Sequence, residues 1–114
     1  MRVLVCGGRN YDNWNTVCWI LEAFKSDKTL IIEGGASGAD KLASKWAYEN
    51  QVPNKCFPAD WKVHGKAAGP IRNQQMLDEG KPDIVIAFPG GKGTEDMVRR
   101  AKEAGIEVIE VIDD

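Results

Sequence analysis

Two stretches of this sequence bring together residue types suited to holding a phosphate. In PGGKGTED, Pro89, Gly90, Gly91, Lys92, Gly93 and Thr94 precede Glu95 and Asp96; in EGGASGAD, Gly34, Gly35, Ser37 and Gly38 stand between Glu33 and Asp40. Glycine permits positive φ and lets backbone N–H groups approach an anion closely. Where such a loop runs into a helix, the first N–H groups and the positive end of the helix dipole converge on one point, which suits a phosphate. Thr94 reads as the N-cap of the following helix, with Glu95 and Asp96 in its first turn, where acids are favoured even without a ligand. Neither loop is a Walker sequence, because Lys92 is not followed by Ser or Thr, and neither is GxGxxG. ATP hydrolysis and dinucleotide dehydrogenation are therefore disfavoured.

Cations and a flat aromatic stand close by in the chain. Gly7, Gly8 and Arg9 follow the first apolar run, and Arg9 is expected to contact phosphate in preference to a surface carboxylate. The long stretch PADWKVHGKAAGPIRN (58–73) reads as a recognition loop. Lys62, His64, Lys66 and Arg72 offer positive charge, Trp61 a face for a base, and Asn73 an amide to read an edge. Trp61 reads equally well as a surface-capping aromatic, and His64, with no Asp or Ser partner at a telling spacing, as a plain loop histidine. Arg72 falls in the first turn of a helix, where a cation opposes the dipole, so an anionic ligand explains it better than structure does. Tyr11 stacks on a ligand or covers the first helix. Asp40 complements the dipole of the second helix or receives ribose hydroxyls. Glu33 reads as a hydrated strand end. With Asp40, Glu95 and Asp96 it completes the acids that are candidates for catalysis.

These residues need a scaffold that brings distant loops together, and the apolar pattern supplies one. RVLVC (2–6), TLIIE (29–33), KCF (55–57), DIVIAF (83–88) and EVIEVI (107–112) read as strands, four of them buried on both faces. Helical stripes alternate with them: Trp14, Val17, Cys18, Leu21 and Phe24; Leu42, Ala43, Trp46 and Ala47; Ile71 through Leu77; Met97, Val98 and Ala101. Gly80 with Pro82, Gly105 and Pro53 supply helix stops. Five strands alternating with four helices predict an α/β fold, a Rossmann-like three-layer sandwich on a parallel five-stranded sheet of order 3-2-1-4-5. Ligands of such sheets bind beyond the carboxyl ends of the strands, where the order reverses. Most of the 12 glycines lie in the three loops at that end, more than structural turns alone would require.

Composition narrows the classes further. The 114 residues, 43% hydrophobic, suit one domain spanning residues 1–114. With 15 Lys and Arg against 17 Asp and Glu, no overall charge draws the chain to nucleic acid or to an acidic membrane. Cys6, Cys18 and Cys56 lack CxxC spacing and read as reduced, mostly buried thiols; with His64 they make a poor zinc set, so no metal and no cofactor are expected. Neither a signal-peptide pattern nor a spanning segment is visible, which predicts a cytoplasmic protein. Of the four tryptophans, Trp19 lies off the stripe of its helix and is the expected anchor of a homodimer.

GGR, EGGASGAD, AAGPIRNQQML and PGGKGTEDM, in this order, resemble the YspA/YpsA-related branch of the SLOG superfamily, whose relatives include the LONELY GUY phosphoribohydrolases and the DprA DNA-processing proteins. The resemblance covers nearly the whole chain. It implies a Rossmann-like fold whose glycine loops bind nucleotides or nucleotide-derived ligands, in small proteins of bacteria and their phages. LONELY GUY enzymes carry PGGxGTxxE, and their final glutamate works with an arginine to cleave an N-glycosidic bond. Arg72 matches that arginine, but Met97 stands at the glutamate position, and a thioether cannot stabilise an oxocarbenium ion or activate water. Three functions follow as expectations: binding of a nucleotide-derived phosphate; glycosidase or phosphoribohydrolase chemistry through one of the four acids; and, least favoured, DprA-like binding of single-stranded DNA.

Overall fold

Val3, Leu4 and Val5 are wholly buried because β1 (Arg2–Cys6) lies at the centre of the sheet. In the computed structural model, which describes residues 1–113, β1 pairs in parallel with β2 (Leu30–Glu33) on one side and β4 (Ile84–Ala87) on the other. Beyond them lie β3 (Asn54–Cys56) and β5 (Glu107–Glu110), giving the order 3-2-1-4-5 expected from the sequence.

Side chains alternate along each inner strand and divide the core into two layers. Val3, Val5, Ile31, Ile84 and Ile86 pack under α1 (Trp14–Glu22) and α2 (Ala39–Glu49). Leu4, Cys6, Ile32, Val85 and Ala87 pack under α4 (Ala68–Gly80) and α5 (Lys92–Glu103). Each buried Val, Leu or Ile contributes about 1.5–3 kcal/mol, so the three inner strands hold the point of strand reversal rigidly. Only these three are buried on both faces. The outer strands β3 and β5 are largely exposed, which corrects the expectation of four, because an edge strand has one neighbour and less helix above it.

Helix ends follow their local chemistry. Asn13 caps α1 by accepting from the Thr16 N–H at 3.1 Å. Gly105, at φ +75°, ends α5. At the end of α4 the left-handed residue is Lys81, while Gly80 serves close packing: a Cβ there would sit 3.3 Å from Ile32 Cγ2. The described residues form five α-helices where four were expected. The stretch read as a recognition loop contains α3 (Trp61–His64), a 3-10 turn (Gly65–Ala67) and then α4. Asp60 starts α3 by accepting from the Val63 N–H at 3.2 Å.

No helix among the described residues is long and apolar enough to cross a membrane. Trp19, off the apolar stripe of α1 as expected, is 80% exposed, and Tyr48 on α2 is 86% exposed. Cys6 is buried, Cys18 partly buried and Cys56 exposed, so burial of the thiols is less complete than the composition suggested.

Candidate functional site

The register Cys6↔Ala87 sets the loops after β1 and β4 side by side at the carboxyl end of the sheet. Their backbones join directly, Gly8 N–H donating to the Pro89 carbonyl at 2.9 Å. The loop after β2 closes on the same place, with the Ala39 N–H donating to the Gly8 carbonyl at 3.2 Å. Between these loops and α4 lies a cleft of about 620 Å³. It brings together Gly7, Gly8, Arg9, Asp40, Trp61, Lys66, Arg72, Asn73, Gly91, Lys92, Gly93, Thr94 and Asp96, all proposed from sequence.

Gly34, Gly35 and Ser37 line a smaller adjoining cleft of about 310 Å³, which shares Arg9, Trp61 and Arg72 with the larger one. Glu33, Gly38, Pro89, Gly90 and Glu95 line neither, and Lys62 and His64 lie outside both. Cys6, Ala36, Gly69, Pro70 and Met76 line the larger cleft without having been singled out as site residues. Gly69 and Pro70 sit inside AAGPIRN, so their place beside Arg72 was the available signal. Burial pushes the Cys6 thiol up to about 12, which leaves it an inert part of the floor.

The start of α5 is the open end of the site. The N-cap is Gly91, not Thr94: the helix begins three residues earlier than capping preference suggested, and Gly91 has no side chain to cap it. The N–H groups of Lys92, Gly93 and Thr94 consequently meet no protein acceptor among the described residues. A Cβ built on Gly91 or Gly93 would meet nothing within 4 Å, so these two glycines leave space. Most other glycines of the three loops are needed for structure, contrary to the sequence reading. A Cβ on Gly90 would lie 2.6 Å from the Gly8 nitrogen, and Gly38, at φ +78°, abuts the backbone of Gly8 and Arg9.

The glycine loop after β2 is closed by the protein itself. Asp40 Oδ2 accepts from the N–H groups of Gly34 and Ala36, both at 3.2 Å, so the chain supplies its own anion there. Burial pushes the Asp40 carboxyl up to about 6, partly offset by these backbone N–H groups and by Arg72. Glu33 is no hydrated strand end. It is 2% exposed and accepts from Gly35 N–H at 2.6 Å and Asn54 Nδ2 at 3.1 Å.

Arg72 also has a structural purpose. It is the fifth residue of α4, beyond the first turn, where its Nη1 donates to the Gly34 carbonyl and its Nε to Asn73 Oδ1 at 3.1 Å. Asn73 in turn donates to the Gly93 carbonyl at 3.2 Å and to Asp96 Oδ2 at 3.0 Å. Its amide is thus spent on holding α4 against the first turn of α5 instead of reading a ligand edge. Asp96 also accepts from Arg99 at 2.9 Å and Arg100 at 2.8 Å. Burial works against its charge, but the bonds from Asn73 and Arg100 outweigh burial and hold it below the usual carboxylate range.

Arg9 lies over the half-exposed Trp61, its Cζ 5.4 Å from the ring centroid, at the boundary between the two clefts. Tyr11 takes the covering role: its ring packs on Phe88, centroids 5.2 Å apart, and its hydroxyl donates to Asp113 at 2.6 Å. Asn13 donates to the same carboxylate at 2.9 and 3.1 Å. Met97 is wholly buried in the layer beneath α4 and α5, so the motif position that matches the hydrolase glutamate faces the core here and not the cleft. Among the described residues no three His, Cys, Asp or Glu side chains are grouped to hold a metal.

Among solved structures, DNA processing protein A (DprA) from Streptococcus pneumoniae superposes with a TM-score of 0.81 at 19% identity, covering 99% of this chain and 50% of that one. This chain thus spans half the length of DprA. The structural-genomics target TM1055 gives a TM-score of 0.73 at 20% identity, over 94% of this chain and 71% of its own. The UDP-GlcNAc 2-epimerase of Neisseria meningitidis, solved with UDP-GlcNAc bound, gives 0.59 at 17% identity over 97% and 32% of the two chains. At these identities the likeness is one of fold. In sequence, the Gene 61 protein of Mycobacterium phage D29 is 40% identical over 118 residues, covering 95% of this chain and 94% of that protein. The model of the YspA, cpYpsA-related SLOG family matches residues 1–64, and this chain belongs to that family.

Proposed function

We propose that this protein binds a nucleotide or nucleotide-derived phosphate in the larger cleft, and holds it without cleaving it. The observation that carries the reading is the uncapped start of α5, where the N–H groups of three residues that line the cleft have no protein acceptor among the described residues and a Cβ on Gly91 or Gly93 would meet empty space. Arg9, Lys66 and Lys92 add positive charge to the same cleft, and Trp61 offers it a flat face. Holding without cleavage is supported by the acids. Glu33 and Glu95 lie outside the cleft, Asp96 is engaged by Asn73, Arg99 and Arg100, and Met97 is buried. No membrane and no cofactor enter this reading.

Replacing Gly91 with Val tests it, because the side chain would fill the anion's place. Stabilisation by nucleoside phosphates, read as a thermal shift, is expected in the parent protein and absent in Gly91→Val, with the cooperative melt retained. Undiminished stabilisation in the variant would move the site elsewhere. Chromatography of a panel of nucleoside phosphates and ADP-ribose compounds after incubation should return them intact. Cleavage that disappears in Arg72→Ala would replace the binding reading with the enzymatic one and give Asp40, the remaining acid of the cleft, the catalytic role. Single-stranded DNA binding is less well supported, since the cations gather in a cleft and the formal charge is −2.

A further inference from the structure

We infer that Asp40 is a ligand-facing carboxylate that receives the hydroxyls of a sugar ring, so that the cleft selects a sugar phosphate with a free diol over phosphate alone. The inference rests on the reading of the cleft as an anion site and names what accompanies the anion.

Asp40 is only 6% exposed, yet it lines the cleft. Its two oxygens have different surroundings. Oδ2 accepts both N–H groups of the loop after β2, whereas Oδ1 accepts from no donor among the described residues. Among the described residues no fully buried side-chain oxygen or nitrogen lacks a partner, so Oδ1 is not sealed within the protein. The cleft is the space left to it.

Structure alone does not call for a charge here. A neutral Asn or Ser oxygen would satisfy the loop N–H groups as well, without the penalty of burying a carboxylate. Neither neighbouring cation bonds it: Arg72 acts on Asp40 only through its field and donates to Gly34 and Asn73, and Arg9 lies over Trp61. Asp40 would repel a phosphate, which belongs instead at the start of α5. What meets Asp40 must donate, and the cations nearby disfavour a charged amine. A neutral hydroxyl pair fits, because Oδ1 has lone pairs for two O–H donors. A base is better accommodated at the half-exposed Trp61 than beside the deeply placed Asp40. The volume of about 620 Å³ is ample for a sugar and its phosphate.

The test compares inorganic phosphate, ribose 5-phosphate, AMP and 2′,3′-dideoxy-AMP on the intact chain and on Asp40→Asn, by NMR titration. Asparagine keeps an oxygen for Gly34 and Ala36 but presents an amino group to the cleft. In the parent protein AMP should bind at least tenfold more tightly than 2′,3′-dideoxy-AMP, and ribose 5-phosphate more tightly than phosphate. Both preferences should collapse to within about twofold in Asp40→Asn while phosphate binding persists. Equal binding of AMP and its dideoxy form by the parent protein overturns the inference without needing the variant, and does so even where a base contact makes both bind well. Phosphate binding that Gly91→Val abolishes, without any sugar preference, sinks this inference and leaves the anion site standing. Failure of every phosphate to bind sinks both.

Discussion

The loops after β2 and β4 are built from the same residue types, and each leads into a helix, but they end in opposite states. After β2, Asp40 reaches back to the N–H groups of Gly34 and Ala36, and the Gly8 carbonyl takes the Ala39 N–H. After β4, Gly91 leaves the first turn of α5 uncapped. A glycine-rich turn before a helix therefore keeps N–H groups free for an anion only where the chain does not furnish one itself. The first loop holds its shape with its own carboxylate, and the second, whose N–H groups stay uncapped, is where we propose that the ligand's anion sits.

The largest effect that would sharpen this comparison comes from Gly38. At φ +78°, with the Arg9 carbonyl carbon only 2.6 Å from any added Cβ, Gly38→Ala should cost on the order of 3 kcal/mol or more in denaturant unfolding. A cost below 1 kcal/mol would show that the first loop is as free as the second.

Next comes Asp40→Asn, read as stability against pH. A carboxyl raised from 3.8 to about 6 by burial favours the folded state fully below pH 3.8, and that contribution is lost as pH rises through 6. Asp40→Asn should accordingly be more stable than the parent protein at pH 7.5, by on the order of 2–3 kcal/mol. The gap should close near pH 4. A variant less stable at pH 7.5 would mean that the loop N–H groups need the full charge.

The smallest effect concerns Arg72, which donates to the loop after β2 and to Asn73, the residue that holds the first turn of α5. Arg72→Ala should weaken phosphate binding about tenfold, near 1.5 kcal/mol, and also lower the melting temperature, because the Gly34 carbonyl loses its donor. Loss of affinity with an unchanged melt would assign Arg72 to the ligand alone.

Much of this arrangement is readable in the residue pattern. Buried inner strands require continuous runs such as VLV, LII and IVIA, and alternation with helices then leaves few parallel topologies. Edge strands show more weakly, since β5 reads EVIE with exposed acids. The convergence of Gly7, Gly91, Arg9 and Lys66 follows from topology and could be anticipated. Which N–H groups remain free could not, because it depends on where Asp40 turns its side chain and on Lys92 and Gly93 joining the helix despite glycine's poor propensity. Arg72 misled for a related reason: its partner, the Gly34 carbonyl, lies 38 residues away in sequence. The start of α3 was legible at Asp60, an acid three residues before the N–H that it caps.

Tyr11 and Asn13 share the carboxylate of Asp113 across separations of 102 and 100 residues, and Asn13 also caps α1. Translation runs in one direction, so the β1–α1 loop leaves the ribosome long before the residue that fastens it. One side of β1 has no partner until β4 is made, and the clasp needs a residue further along still. The loop that carries Arg9 is thus fastened by a contact of very long sequence separation, which ties its shape to an element made much later.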